Sequence, residues 1–314
     1  MRVTVIGRGV SGLTTAAELL AAGHEVVIVS ADAPLETTSA VAAAVWYPYR
    51  AFPFDRVRKW GAVALDRFRS LAEDPSTGVV MRAGVELVPD DEVPWWSENV
   101  IEVTRSERDL PPWAQTAWAF TAPVIEMPIF LAWLDSYVQS RGAQVLVRRL
   151  ERLEDAPASD VVVNCTGLGS RGLIQDRGLR PVRGQVVVVE NPGIDTFLLD
   201  QESPLGLTYI VPRSRDCVLG GTDDEGSWDL SADAQVAEAI VTRCARYEPR
   251  LTEARVIGHK VGLRPARSEV RLEPETLADG RVCIHNYGHG GAGVTLSWGC
   301  AADVVGLVEE PDPF

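Results

Sequence analysis

Residues 1–12 restrict the fold of this chain more than any other stretch. Val3, Val5 and Ile6 form an apolar run that leads into Gly7-Arg8-Gly9-Val10-Ser11-Gly12, and Leu13, Ala16, Ala17 and Leu20 then recur at helical spacing. Strand, glycine loop and helix in that order are the context in which a G-x-G-x-x-G pattern carries weight. The three glycines meet different demands. Gly7 permits the tight turn, Gly9 lets the backbone close on a pyrophosphate, and Gly12 lets the helix lie against the strand. The first N–H groups of the helix, from Val10 and Ser11 on, lack intrahelical partners and present donors and a positive dipole end to phosphate. A glycine-rich surface turn would need neither the strand before it nor the helix after it. The pattern predicts a dinucleotide bound across Gly7, Gly9, Val10, Ser11 and Gly12.

A second apolar strand is predicted over 25–29, reached through Gly23. Dinucleotide folds place an acid near the end of this strand to accept hydrogen bonds from the adenosine ribose. Asp32 stands about 20 residues past the glycine motif, as that role requires, but beyond the strand end, and Glu36 competes with it. For either acid the plain alternative is a solvated loop carboxylate. Thr37-Thr38-Ser39 follows, three hydroxyls suited to lie along a phosphate or to cap the next helix. Trp46-Tyr47-Pro48-Tyr49-Arg50 is an aromatic cluster that proline keeps from continuing a helix.

A chain of 314 residues fits two domains, or one α/β unit with an insertion. The formal charge of −14 argues against nucleic acid and anionic membrane as partners. No apolar run reaches the roughly 18 residues of a membrane span, and the chain enters its first strand without a leader. Cys165, Cys217, Cys244, Cys283 and Cys300 are odd in number and include no C-x-x-C pair, so they read as reduced, buried thiols. His285 and His289 flank glycines but have no thiolate or acid set beside them, so no metal is expected. The closing Pro311-Asp312-Pro313-Phe314 is no peroxisomal address. The expected location is cytoplasmic, and the default assembly is a homodimer.

From about 51 to 127 the character changes: Pro94-Trp95-Trp96, Pro111-Pro112-Trp113 and Trp118 crowd among charged residues, with one amphipathic helix over 57–71. This reads as inserted material, partly antiparallel sheet, whose aromatics serve core or interface. A helix over 129–137, a strand starting within 141–147 and the apolar Val161-Val162-Val163-Asn164 before Cys165-Thr166-Gly167 return the chain to a parallel sheet covered on both faces. It leaves again through strands at 186–189 and 209–212, Gly220-Gly221-Thr222 and a helix over 232–247.

The closing segment repeats the opening logic. Val282-Cys283-Ile284 is a strand, His285-Asn286-Tyr287-Gly288-His289-Gly290-Gly291-Ala292-Gly293 a second glycine-rich turn, and Val294 begins a helix with Leu296, Cys300, Val304 and Leu307 inward. Two such units are more specific than one, and the second aims another helix N-terminus at the ligand. A flavin would use that dipole at its pyrimidine edge; a nicotinamide would have less use for it.

Three stretches together resemble the D-amino-acid oxidase family of FAD enzymes: 5–12 around the first glycine loop, Gly262-Leu263-Arg264-Pro265, and 285–293. Asn164-Cys165-Thr166-Gly167, Gly184-Gln185 and Gly220-Gly221-Thr222 also match, so the resemblance covers essentially the whole chain. It implies an α/β fold in which a Rossmann-type FAD-binding domain (1–52, 128–178 and 267–314) is interleaved with an α+β substrate domain on a mixed or antiparallel sheet (53–127 and 179–266). It implies that Arg264 and Tyr209 hold a substrate carboxylate, that the Gly291 carbonyl accepts from the substrate amine, and that Val45, Tyr47, Tyr49 and Leu205, with Leu207, shape the side-chain pocket. FAD contacts would run through the first glycine loop, Asp32, Thr37, Thr38, Ser39, Ala43, Ala44, Val45, Leu150, Thr166, Gly167, Arg264, Gly288, Gly290, Gly291, Gly293, Val294 and Thr295.

The implied reaction is oxidation of a D-amino acid by hydride transfer from Cα to flavin N5, with no side-chain base, giving a 2-oxo acid, ammonia and, from oxygen, hydrogen peroxide. Apolar pocket residues point to neutral, apolar substrates. Arg50 and Arg213 lie close in sequence to pocket positions and would favour an acidic side chain, which makes a D-aspartate oxidase the nearest alternative, then a glycine or sarcosine oxidase. A nicotinamide dehydrogenase and a non-enzymatic nucleotide-binding protein are the more distant alternatives. The chain departs from the family at Leu205-Gly206-Leu207-Thr208, where animal members carry a longer lid with a second tyrosine.

Overall fold

The computed structural model describes residues 1–310; the C-terminal tetrapeptide lies outside them. The elements in order are β1 (Arg2–Ile6), α1 (Val10–Ala21), β2 (Glu25–Ser30), α2 (Phe54–Leu71), β3 (Val79–Val88), β4 (Thr104–Arg105), β5 (Thr116–Ile125), α3 (Met127–Ser140), β6 (Gln144–Val147) and β7 (Val161–Asn164). They continue with α4 (Ser170–Leu173), β8 (Arg180–Glu190), β9 (Phe197–Asp200), β10 (Thr208–Pro212), β11 (Asp216–Gly220), β12 (Asp224–Glu225), α5 (Ala234–Tyr247), β13 (Val256–Thr276), β14 (Val282–His289) and α6 (Gly293–Glu309).

One sheet runs through the molecule in the order β4-β5-β3-β9-β10-β11-β8-β13-β14-β7-β1-β2-β6, with β12 off this path beside β8. Its β14-β7-β1-β2-β6 end is wholly parallel, and its central strands β7, β1 and β2 are mainly apolar runs because both faces are covered. The other end is antiparallel except where β3 meets β9. This is the doubly wound nucleotide unit joined to a mixed sheet that the sequence leads one to expect.

The long strand β13 joins the two ends. It pairs with β8 from Val256 to Ala266 and with β14 from Ala266 to Thr276, with an irregularity between Ala266 and Arg271. A boundary at 266/267 therefore falls inside a strand. The helix α2, grouped by sequence with the substrate region, packs on α6: a Cβ at Gly299 would stand 2.2 Å from the Trp60 carbonyl oxygen. That absent side chain brings the two helix backbones together, and Trp60 completes the contact by donating from its indole to Asp303 at 2.7 Å.

The second glycine turn is also shorter than the sequence suggests. β14 continues through His289, so only Gly290, Gly291 and Ala292 separate it from α6. The polar residues that look like loop are buried and satisfied inside the strand. Asn286 donates to Thr15 at 3.1 Å, and His285 lies between Asn164 (3.2 Å) and Glu275 (3.0 Å).

Candidate active site

A cavity of about 750 Å³ runs across the ends of the parallel strands and on over the antiparallel sheet. At one end it is lined by Ser30, Asp32, Glu36, Arg149 and Leu150, in the middle by the first glycine loop, Thr37, Thr38, Ser39, Thr166 and Gly167, and at the other end by Tyr47, Tyr49, Tyr209, Arg264 and Gly291.

At the first loop, Gly7 has φ +112°, a conformation that an L side chain resists, and a Cβ there would stand 2.5 Å from the Cys165 carbonyl oxygen. A Cβ on Gly12 would fall 2.0 Å from the Gly7 carbonyl oxygen, so this glycine lets α1 close on the loop. Gly12 therefore packs behind the cavity and does not line it. The Val10 N–H donates to Ser39 Oγ at 3.0 Å. Ser39 thus caps α1 across the loop; Thr38 and Ser39 lie inside a short 3-10 turn (Thr38–Val41), so the hydroxyl triplet caps no α-helix of its own. Asp32 is exposed and 3.9 Å from Arg149, while Glu36 accepts from the Ala33 N–H at 2.9 Å.

The cavity floor near Thr166 is set by a buried polar chain. Asn164 Oδ1 accepts from the Thr166 N–H and hydroxyl (3.2 and 2.8 Å), and its amide donates to His285 Nδ1. His285 must then carry its proton on Nε2, facing Glu275. His285 stands outside the cavity, whereas His289 lines it, bonded to Asn286 at 3.0 Å and pushed by burial down to about 4. Both are neutral supports for the backbone around them. Among the described residues, no group of three His, Cys, Asp or Glu side chains could hold a metal ion.

At the far end, β13 carries Arg264 and β10 carries Tyr209. The guanidinium lies directly over Gly184 of β8: a Cβ there would be 2.6 Å from Cζ, Nη1 and Nη2. Arg264 donates to the Thr222 carbonyl at 2.9 Å and, among the described residues, forms no ion pair. Tyr209 lies over its cross-strand partner Gly220, where a Cβ would fall 1.9 Å from ring Cζ. Burial raises the Tyr209 hydroxyl above the usual phenol range, opposed by the charge and hydrogen bond of Arg264. Burial likewise pushes Tyr49 up to about 12 against the charges of Arg264 and Arg50. Both phenols are therefore hydrogen-bond donors at neutral pH.

The second turn closes this end. The Tyr49 ring lies on Gly291, where a Cβ would be 2.3 Å from Cδ1. Thr295 Oγ1 donates to the Tyr47 carbonyl (2.8 Å) and accepts from the Tyr47 N–H (3.1 Å), which fixes the 45–49 segment to the start of α6. The hydroxyl is thereby committed to backbone, and the N–H groups of Gly293, Val294 and Thr295 remain as the positive end facing the cavity. An elongated cavity with a glycine-lined helix N-terminus at its middle and a second near an arginine fits a flavin dinucleotide and a small anionic substrate together.

Of the residues expected here, Gly7, Gly9, Val10, Ser11, Asp32, Thr37, Thr38, Ser39, Ala43, Ala44, Val45, Tyr47, Tyr49, Leu150, Thr166, Gly167, Tyr209, Arg264, Gly290, Gly291, Gly293, Val294 and Thr295 line the cavity. Besides Gly12, two do not. Gly288 lies behind it against Arg267, and Leu205 is 44% exposed because the Ser203–Gly206 turn throws it outward and leaves Leu207 on the wall. Gly184, Leu199 and Gln201 line it without having been expected as contacts. A glycine directly across a strand pair from a large residue is the signal that finds Gly220 and its neighbours, but it needs the register.

Residues 2–307 match the family described as DAO, FAD dependent oxidoreductase. The chain is 52% identical to a D-amino-acid oxidase of Rubrobacter xylanophilus (98% of this chain, 95% of that one) and 44% identical to a D-amino-acid oxidase of Streptomyces coelicolor (97% and 96%). It is also 39% identical to a D-aspartate oxidase of Homo sapiens (98% and 95%). Among solved structures it resembles a glycine oxidase of Geobacillus kaustophilus, with a TM-score of 0.81 at 21% identity over 98% of this chain and 95% of that one.

Proposed function

Because the chain belongs to the DAO family of FAD-dependent oxidoreductases, we propose that it oxidises neutral, apolar D-amino acids to 2-oxo acids and ammonia with release of hydrogen peroxide. The observation that carries this reading is Arg264, a half-buried guanidinium facing the cavity beside a protonated tyrosine and without a protein counter-ion among the described residues. A desolvated fork of donors of this kind recruits a carboxylate in two parallel, charge-assisted hydrogen bonds.

In this reading Arg264 and the Tyr209 hydroxyl hold the substrate α-carboxylate, and the Gly291 carbonyl accepts from the amine. With two substituents of Cα anchored, its hydrogen and side chain cannot exchange places, so one enantiomer presents its C–H to the ring. FAD, when bound, supplies the acceptor for the hydride that leaves Cα and returns the electrons to oxygen. Tyr209 and Tyr49, held protonated by burial, act as donors and not as bases. The amine therefore reacts in its neutral form, and the imine product takes up water to give the 2-oxo acid and ammonia.

The side-chain pocket is walled by Val45, Tyr47, Leu199 and Leu207, and the two cations that would favour an acidic substrate are spent elsewhere. Arg50 is paired with Asp223 and Glu225, and Arg213 with Asp216; neither lines the cavity. Five buried cysteines without disulfides suit a reducing compartment, and no helix of the described residues is long and apolar enough to cross a membrane, so we read the enzyme as cytoplasmic. The chain divides into an FAD region and a substrate region that share β13, with α2 docked on the former.

Peroxide release from D-valine, D-alanine, D-aspartate and glycine, with the absorption spectrum before and after anaerobic D-alanine, tests this. The expected result is a yellow protein, bleached by D-alanine and most efficient on the neutral D-amino acids. Highest efficiency on D-aspartate overturns the substrate class; a protein that takes up no FAD, or a flavin that no D-amino acid bleaches, overturns the reaction.

A further inference from the structure

The side-chain pocket has a charged residue just behind its wall. Glu86 lies on β3 directly across from Leu199 of β9, which in turn lies across from Tyr209 of β10, so the three share one face in a single cross-strand row. Leu199 and Tyr209 line the cavity. The Tyr47 hydroxyl, from the facing wall, donates to Glu86 Oε1, while Glu86 Oε2 is buried without a partner. Two strand spacings separate the row positions of Glu86 and Tyr209, about 10 Å. A substrate held at Arg264 and Tyr209 extends its side chain into this interval, toward Tyr47, Leu199 and Gln201.

No cation answers this carboxyl: among the described residues Glu86 forms no ion pair, and the ionisable groups facing it are Tyr47 from the 45–49 segment, Asp90 beyond the end of its own strand and Glu202 beyond the end of β9. Trp96 and Gln201 add neutral polar contacts around the Tyr47 hydroxyl. A charge on Glu86 is thus not neutralised by an ion-pair partner before it reaches the pocket.

We propose that Glu86 determines the charge selectivity of the side-chain pocket, disfavouring D-amino acids whose side chain is anionic. This rests on the reading of the reaction given above and concerns which substrates within that class are accepted. Burial raises the Glu86 carboxyl to about 7, the hydrogen bonds of Tyr47 and Trp96 opposing and the charges of Glu202 and Asp90 reinforcing the shift. The group is therefore neutral on the acid side of pH 7 and anionic on the alkaline side. Selection against an anionic side chain strengthens as pH rises.

The test compares D-glutamate with D-glutamine, near-isosteres that differ in side-chain charge, by peroxide release from the holoenzyme between pH 6 and 9. Ionisation of the substrate amine affects both alike and cancels in the ratio of their kcat/KM values. For unit charges no more than about 10 Å apart at an effective dielectric near 20, the ratio is expected to fall by at least about tenfold across this range. In Glu86→Gln, which keeps a partner for Tyr47, the ratio is expected to be flat and as high as the acid-side value. In Tyr47→Phe, which removes a donor that favours the charged carboxylate, the midpoint is expected to move to higher pH. D-glutamine turnover with a ratio that stays flat in the native enzyme, or that falls equally in Glu86→Gln, overturns this inference alone. An enzyme that oxidises neither of these nor D-valine overturns it together with the reaction on which it rests.

Discussion

Replacing Gly184 with alanine separates the placing of the carboxylate clamp from its chemistry. Gly184 touches no substrate in the proposed reaction, yet an added Cβ would stand 2.6 Å from three atoms of the Arg264 guanidinium, where ordinary contact begins near 3.4 Å. The guanidinium must therefore lift by about 1 Å, and a misplacement of that size costs on the order of 10²-fold in rate. That factor corresponds to about 2.7 kcal/mol of transition-state stabilisation. Folding should hardly notice, because the displaced atoms are the free end of a flexible side chain and φ at Gly184 is not in the left-handed region. The change should keep stability within about 1 kcal/mol, since alanine also restricts the unfolded chain. Steady-state peroxide release on D-valine should show kcat/KM down about 10²-fold, with flavin absorbance and melting temperature close to native. Native kinetics in a folded, yellow Gly184→Ala would refute the placement of Arg264 as the clamp. Loss of flavin would refute the claim that the change acts only through the clamp.

Arg264→Ala removes the clamp itself and should lower kcat/KM on the order of 10³-fold, with KM raised and flavin retained; surviving activity would show that the carboxylate binds elsewhere. Gly12→Ala places a Cβ 2.0 Å from the Gly7 carbonyl oxygen, a backbone atom with no freedom to yield. It should cost about 2 kcal/mol or more and release FAD, read as a lower melting temperature and a lower flavin-to-protein absorbance ratio. His289, held by burial near 4 against an unfolded value of about 6.5, gives a pH-dependent term. Because its folded value is depressed, the unfolded chain binds more protons between the two values. Stability is then complete above about 6.5 and declines by about 3 kcal/mol as pH falls to 4. Denaturation midpoints from pH 4 to 7 should show that slope in the native chain and a shallower one in His289→Gln.

The parts of this site that were legible in the sequence are those fixed by rules acting over a few residues. The first glycine loop declares itself because a positive φ at Gly7 and the close approach at Gly12 are demands that only glycine meets, and the flanking apolar periods say which elements it joins. Gly262-Leu263-Arg264-Pro265 could be assigned because an arginine in that setting matched a recognised pattern. Leu205 misled because the resemblance places the 205–207 stretch at the pocket without its local conformation, while a local turn decides which of Leu205 and Leu207 faces inward. His285 and Asn286 read as loop because their polarity is visible and their buried partners, contributed from Thr15, Asn164 and Glu275, are not.

What the sequence by itself determined was a flavin-type glycine loop at each end of the chain, the alternation between two kinds of sheet, and the arginine at 264. Only the tertiary structure decided that Gly184 makes room for that arginine, that Gly220 makes room for Tyr209, that α2 docks on α6, and that Glu86 stands behind the pocket wall. The physical reason is range. Turn geometry and helix termini are set by immediate neighbours along the chain. These four features depend on strand register and helix contact, which bring together residues as distant in sequence as Arg264 and Gly184 or Trp60 and Gly299.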